Sequence, residues 1–140
     1  MTGKHYFIAS LVMILSAMTN VTFAAEKKLS FELNKAQLIQ DKCRVTFVAS
    51  NGLGLVVDKT ALEVVVFNDK KIVSEILVLD FGRLPVAKTK VIQFDLAATC
   101  GGISRLLIND FTECSIDGAP SSTCLDIVQT SSRTEILFGF

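Results

Sequence analysis

The sequence predicts an all-β chain, an antiparallel β-sandwich of about seven short strands, and three observations carry that expectation. Apolar residues alternate with polar ones in short runs, the period of a half-buried strand rather than of a helix. Turn residues such as Asn51-Gly52-Leu53-Gly54 and Asn68-Asp69-Lys70-Lys71 separate those runs at close spacing. Four cysteines in a chain of 140 residues then supply an even number of disulfide partners to staple a small sandwich.

The compartment follows from the first residues. A short start, Met1-Thr2-Gly3-Lys4-His5-Tyr6, leads into twelve apolar or small residues, Phe7 to Met18, and then to Thr22, Ala24 and Ala25 at small-residue positions. A cationic start, an apolar stretch and a small-x-small exit make a secretory signal peptide. An apolar run of twelve falls short of the ~20 residues that span a bilayer, which argues against a membrane anchor. Residues 1–24 are therefore expected to be removed by cleavage after Ala24, with the bond after Ala25 as second choice, and residues 26–140 to form one domain. Neither a twin arginine nor a cysteine lies near the cut, so ordinary export to the periplasm or the medium is expected, with no lipid anchor.

Removing the leader also removes chemistry. His5, Tyr6 and the methionines Met1, Met13 and Met18 all lie within it, and the chain has no Trp. The remaining 116 of the 140 residues offer no imidazole for a Ser-His or Cys-His nucleophile or a metal, and no thioether for copper. Without Lys4 there are 13 basic residues against 14 acidic, and no basic patch for nucleic acid or a membrane surface stands out. A chain of this length buries roughly two-thirds of its unfolded surface, enough for a core.

Cys43, Cys100, Cys114 and Cys124 permit three pairings, and Cys43 with Cys100 and Cys114 with Cys124 are favoured. The loop-like Ser115 to Thr123 between the second pair closes easily. A redox or zinc role is disfavoured, because no Cys-x-x-Cys occurs and no His survives cleavage to help.

Along the chain, Leu29, Phe31 and Leu33 alternate with Ser30, Glu32 and Asn34, and Cys43 to Ser50 alternates in the same way. Leu62 to Phe67 is apolar on both faces except at Glu63, which predicts a central strand, and Ile72 to Phe81 follows the turn. After Gly82 to Pro85 come Ile92, Phe94 and Leu96, then Ile103 to Phe111, and Thr134 to Phe140 as the seventh strand. A short helix is predicted over Ser122 to Gln129. The expected core holds Phe47, Val64, Val66, Leu77, Leu79, Phe94 and Ile108, with Phe81 continuing an inward series Val73, Leu77, Leu79.

Asp80-Phe81-Gly82 has the letters of a kinase magnesium motif, but Lys88 follows it instead of preceding it and no His-Arg-Asp loop exists, so it reads as a strand end and a turn. Asp80, Asp95 and Asp110 close three successive predicted strands. Converged, they could hold calcium or act as an acid-base pair; singly, they satisfy turn amides. Lys88 and Lys90 flank Thr89 and suit the guarding of a strand edge better than a Ser-Lys pair. The closing Thr-Glu-Ile-Leu-Phe-Gly-Phe has the form of a barrel's last strand, but the chain past residue 24 lacks the Tyr and Trp of a barrel's aromatic girdle.

The stretch Ala61 to Leu96 resembles immunoglobulin-like domains of the FxLYD type: Phe67-Asn68-Asp69 and Leu84-Pro85-Val86-Ala87-Lys88-Thr89 occupy the places of their two turns, with Ala87 where the family carries Gly. Cys43-Arg44-Val45-Thr46-Phe47, with the Asp80, Gln93, Ile103 and Ser131 segments, is similar to a group of uncharacterised exported alphaproteobacterial proteins, often labelled by a Tat-type signal sequence. These resemblances imply an immunoglobulin-like antiparallel β-sandwich of about seven strands, stapled by two disulfides. No activity comes with them.

The functional expectation is a non-enzymatic binding module of the bacterial envelope, with an envelope protein as partner, no cofactor, no metal, no nucleic acid and no membrane span after cleavage. Two alternatives stand beside it: an envelope or fibre subunit using strand addition, through an open edge or the Phe140 tail, and a small hydrolase using Asp80, Asp95 or Asp110.

Overall fold

The computed structural model describes residues 1–2 and 27–140, so the apolar stretch of the expected signal peptide, its cleavage positions and the domain start at residue 26 lie outside the described residues. Nine strands follow in order: β1 (Leu29–Ile39), β2 (Lys42–Asn51), β3 (Val57–Asn68), β4 (Val73–Asp80), β5 (Thr89–Leu96), β6 (Ile103–Ile116), β7 (Ala119–Pro120), β8 (Val128–Ser132) and β9 (Leu137–Gly139). Two layers result. The first sheet has the order β5-β2-β1-β8, and the second β4-β3-β6-β7 with β9 also paired to β6. Among the described residues no helix is long and apolar enough to cross a membrane.

The expected sandwich is present, with differences that have physical reasons. Nine strands replace seven, and two pairings, β1 with β8 and β6 with β9, are parallel. Alternation reports that a segment is extended; it carries nothing about the direction of the neighbour it will meet. The helix predicted over Ser122 to Gln129 is a single 3-10 turn at Cys124–Ile127, after which the chain extends into β8. The seventh predicted strand shrinks to Leu137–Gly139. Before it, Ile136 N–H donates to Thr134 Oγ1 at 3.1 Å and Ser132 Oγ donates to Ile136 O at 2.7 Å, local bonds that compete with a ladder.

Three elements are longer than predicted. A bulge between Leu33 and Lys35 in β1 reverses which side chains face inward, so alternation breaks at Asn34 although the strand runs on to Ile39. Bulges in the β3 and β6 pairing likewise hide the full length of both strands. Asp117 and Gly118, at φ 51° and 79°, make the two-residue positive-φ turn that pairs β6 with β7.

The core lies between the sheets. Phe47, Val64, Val66, Leu79 and Ile108 are buried as expected, while Leu77 and Phe94 are partly buried against the same core. Val73 is the exception: a bulge between Val66 and Phe67 turns it outward, and it is 50% exposed. Five phenylalanines form the centre edge to face, with ring centroids at 4.8 Å for Phe31–Phe81, 5.5 Å for Phe47–Phe81, 5.3 Å for Phe81–Phe94 and 5.0 Å for Phe47–Phe138.

Both favoured disulfides are formed. Cys43 bonds Cys100 with Cα atoms 4.7 Å apart, tying β2 to the 3-10 turn that enters β6. Cys114 bonds Cys124 at 6.5 Å, tying β6 to the turn that leads into β8. Each bridge therefore runs from one sheet toward the connection serving the other.

Candidate interaction surface

The three aspartates singled out by sequence are not gathered. Asp80 Oδ1 accepts the Gly82 N–H at 2.7 Å, which supports Gly82 at φ +66° and turns the chain out of β4. Lys90 Nζ donates to Phe81 O at 2.7 Å, so the end of β4 lies level with the start of β5. Asp95 sits further along β5, about 16 Å away at the rise of a strand, and in the other sheet. There its carboxylate takes both Arg44 Nε and a terminal Arg44 nitrogen, at 2.7 and 2.8 Å. Asp110, on β6, accepts its neighbour's amide, Phe111 N–H, at 2.7 Å and stands two strands away from β4. Among the described residues no three His, Cys, Asp or Glu side chains form a group that could hold a metal ion.

Charge in the first sheet is used across strands. Hydrogen bonding to Arg44, helped by its positive charge, holds the Asp95 carboxyl below the usual carboxylate range, and the same bond raises Arg44. Glu32 is also lowered, first by the Asn34 amide and then by Arg133, whose Nε lies 3.0 Å away. Gln93 donates to Thr46 Oγ1 at 3.0 Å, and Ser50 and Thr89 hydroxyls meet at 3.2 Å. The outer face of this sheet is therefore mostly polar and cross-linked, with Val48 and its cross-strand partner Val91, and Ile39 at the end of β1, as apolar exceptions.

Cavities carry little chemistry. One, of about 700 Å³, opens where β6, β7 and the Cys114–Cys124 bridge meet; Asp110 and the ion pair of Lys59 with Glu113, at 3.8 Å, line it. Among its lining residues only Cys124 is buried, and Cys124 is bonded to Cys114. A groove of about 320 Å³ separates edge strands β4 and β5, lined by Leu77 and Leu79 on one side and Phe94 and Leu96 on the other.

The outer face of the second sheet is different. Residues opposite each other across a pair share a face. Ile76 pairs Val65 and Val65 pairs Leu107, while Val73 pairs Phe67, Phe67 pairs Arg105 and Arg105 pairs Leu137. Ile76 is 60%, Val78 54% and Leu137 65% exposed, while Val65, between Ile76 and Leu107, is buried. The sequence shows Leu62 to Phe67 apolar on both faces except at Glu63 and predicts a central strand, which β3 is, between β4 and β6. That reading did not extend to the flanking outward residues, which are apolar too. The signal was present in Ile76, Val78, Leu107 and Leu137, which occupy the positions where a half-exposed sheet carries polar residues.

No protein-family model matches the chain, and no curated protein and no solved structure matches it.

Proposed function

We propose that the chain is an exported, non-enzymatic interaction module of the bacterial envelope, built on an immunoglobulin-like sandwich, whose docking surface for a protein partner is the apolar outer face of the second sheet. The asymmetry of the two outer faces carries this proposal. One face spends its positions on cross-strand polar pairs; the other exposes Val73, Ile76, Val78 and Leu137 around Val65 and Leu107, bordered by Glu63 opposite Val78 and by Arg105 opposite Leu137. A contiguous apolar patch on a sheet face marks a binding surface. The scaffold assignment draws support from β1, β2 and β5 sharing one sheet and β3 and β6 the other, the partition of immunoglobulin strands A, B, E and C, F. Cys43–Cys100, between β2 and the segment entering β6, lies where such domains place their inter-sheet bridge. Two disulfides suit an oxidising compartment, the periplasm or the medium.

The test is capture from envelope extract with the disulfide-intact chain, its Leu137→Lys variant and its Val91→Lys variant. Leu137→Lys is expected to lose the captured partner by ~10-fold or more, the effect of an interface anchor. Val91→Lys, a charge added at a residue 62% exposed on the polar face, is expected to leave capture unchanged. Equal capture by both variants, or no partner together with turnover in a hydrolase panel, would remove the proposal.

A further inference from the structure

Strand β4 pairs with β3 on one side and, among the described residues, with no strand on the other. Proteins guard such edges with Lys, Pro, bulges or shortness. Of the other edges, β5 carries Lys90 with Lys88 just ahead of it, β7 has two residues and ends at Pro120, β9 has three, and β8 has five, of which only Val128 is apolar. By contrast, β4 has eight residues, no Lys, Arg or Pro, and five apolar side chains; its charges are Glu75, opposite Val66, and Asp80 at its end, and its only bulge lies at its start, beside Val73.

We propose that β4 pairs antiparallel with β4 of a second copy of this chain, about a two-fold axis through Leu77, joining the two second sheets into one continuous sheet. This goes beyond the docking face and does not require it. The register follows from face and charge. Opposed residues share a face, so the axis must pass through a residue if Ile76 and Val78 are to stay outward in both copies. Centred on Val78, Ile76 would face Asp80, and centred on Ile76, Val78 would face Ser74. Centred on Leu77, each Ile76 faces Val78 of the second copy, Leu77 faces Leu77 and Asp80 faces Ser74; Glu75 against Leu79, away from the axis, is the one charge set against an apolar side chain, and no carboxylate meets another. The groove between β4 and β5 is then closed over by Leu77 and Leu79 of the second copy. Eight residues paired edge to edge bury on the order of 1,000 Å², the low end for a specific interface, so the dimer forms reversibly and with modest affinity. Edge pairing also sets two apolar outer faces side by side.

Sedimentation velocity of the disulfide-intact chain from about 1 to about 300 µM reads this directly, and a shift from monomer to dimer within that range is expected. Ile76→Lys alone and Val78→Glu alone should each weaken dimerisation ~10-fold or more, because each sets a charge against an apolar side chain. An equimolar mixture of the two variants should regain dimer to within a few-fold of the parent, since in the heterodimer the introduced charges face each other. Far-UV circular dichroism checks that both variants, altered only at exposed positions, remain folded. A chain that stays monomeric at the top concentration overturns the proposal, as does a dimer indifferent to both substitutions or a mixture no stronger than either variant alone. A monomer whose envelope partner is still lost in Leu137→Lys overturns the dimer and leaves the docking face standing.

Discussion

Asn51 ends β2 with 3% of its surface exposed, and every polar atom of its side chain has a partner. Nδ2 donates to Leu55 O and Leu84 O, both at 2.8 Å, and Oδ1 accepts Leu53 N–H at 3.0 Å. Its main chain joins the same junction, with Asn51 N–H donating to Lys88 O and Ala87 N–H donating to Asn51 O. One residue thus clamps the loop after β2 to the turn before β5. Asn51→Ala removes all three side-chain bonds. Leu84 O keeps its bond from Val57 N–H, so Leu55 O and Leu53 N–H lose most. At about 1 kcal/mol for each net bond, more where a buried group is orphaned, the loss should be about 2–4 kcal/mol, a large part of a small domain's stability.

Asn51→Asp separates this account from simple loss of packing. The shape is kept, but a carboxylate oxygen replaces the amide that faced two carbonyls, so the variant should be less stable than Asn51→Ala at neutral pH. Burial and those carbonyls raise the folded-state pKa of the introduced acid above its unfolded value. The penalty is therefore full above the folded pKa and is relieved as pH falls through it, when the protonated acid can donate one bond. Thr60 supplies the opposite case. Its hydroxyl is buried with no hydrogen-bond partner among the described residues, so Thr60→Val should be neutral or stabilise by up to about 1 kcal/mol. Urea unfolding followed by far-UV circular dichroism is the assay, because past residue 24 the chain has no Trp or Tyr to report by fluorescence. The reasoning fails if Asn51→Ala lies within about 0.5 kcal/mol of the parent, if Asn51→Asp is no worse than Asn51→Ala at pH 7, or if Thr60→Val costs more than about 1 kcal/mol.

The two disulfides should differ in worth. Chain entropy assigns about 4 kcal/mol to the Cys43–Cys100 bridge, with its separation of 57, and about 2.7 kcal/mol to Cys114–Cys124, with its separation of 10. Paired Cys→Ala variants compared by urea unfolding should show the first loss larger, and the reverse order would refute that ranking. Acid behaviour follows from Asp95 and Glu32, whose folded pKa values lie below the unfolded ones. Their stabilisation is present above about pH 4 and fades as pH falls through the folded values. The urea midpoint should hold from pH 7 to 5 and drop at lower pH, less steeply in Asp95→Asn; superimposed acid limbs would mean that the exposed Arg44 pair contributes nothing measurable.

Much of this was legible in the chain, and the gaps have causes. Period-2 alternation located the strands whose inner face is apolar and whose outer face is polar, as in Cys43 to Ser50 and Ile92 to Leu96. It lost β1 at Asn34 because a bulge changes the face without ending the strand. It lost β7 although Asp117-Gly118 is a strong hairpin signal, because the disulfide spacing drew that stretch into a single loop. β8 was missed because Leu125, Ile127 and Val128 serve a 3-10 turn and then a strand, so neither period holds for long enough. The suspicion that carboxylates serve turns holds at Asp80; Asp110 instead lies inside β6 and takes its neighbour's amide, and the Arg44–Asp95 pair lies 51 residues apart in sequence and only the register of β2 with β5 brings it together.

The placement of the staples bears on why one side of the sandwich can stay open. Cys43–Cys100 reaches from β2 to the entry of β6, and Cys114–Cys124 from β6 to the turn before β8. Neither has a cysteine on β4 or β5, although Cys43 is paired across the ladder with Leu96 at the end of β5. On that side the layers are joined by the Phe81 and Phe94 rings, the Lys90 bond to Phe81 O, the Asn51 clamp and the chain between them. Covalent closure elsewhere supplies stability that a fully sealed sandwich would need from strand contacts between β4 and β5. An edge strand left unsealed in a monomer is a liability unless the fold tolerates it energetically. Here two disulfides make that tolerance available, and they leave the apolar, uncharged-by-lysine edge of β4 as the place where a further strand can be added without breaking any pairing already made.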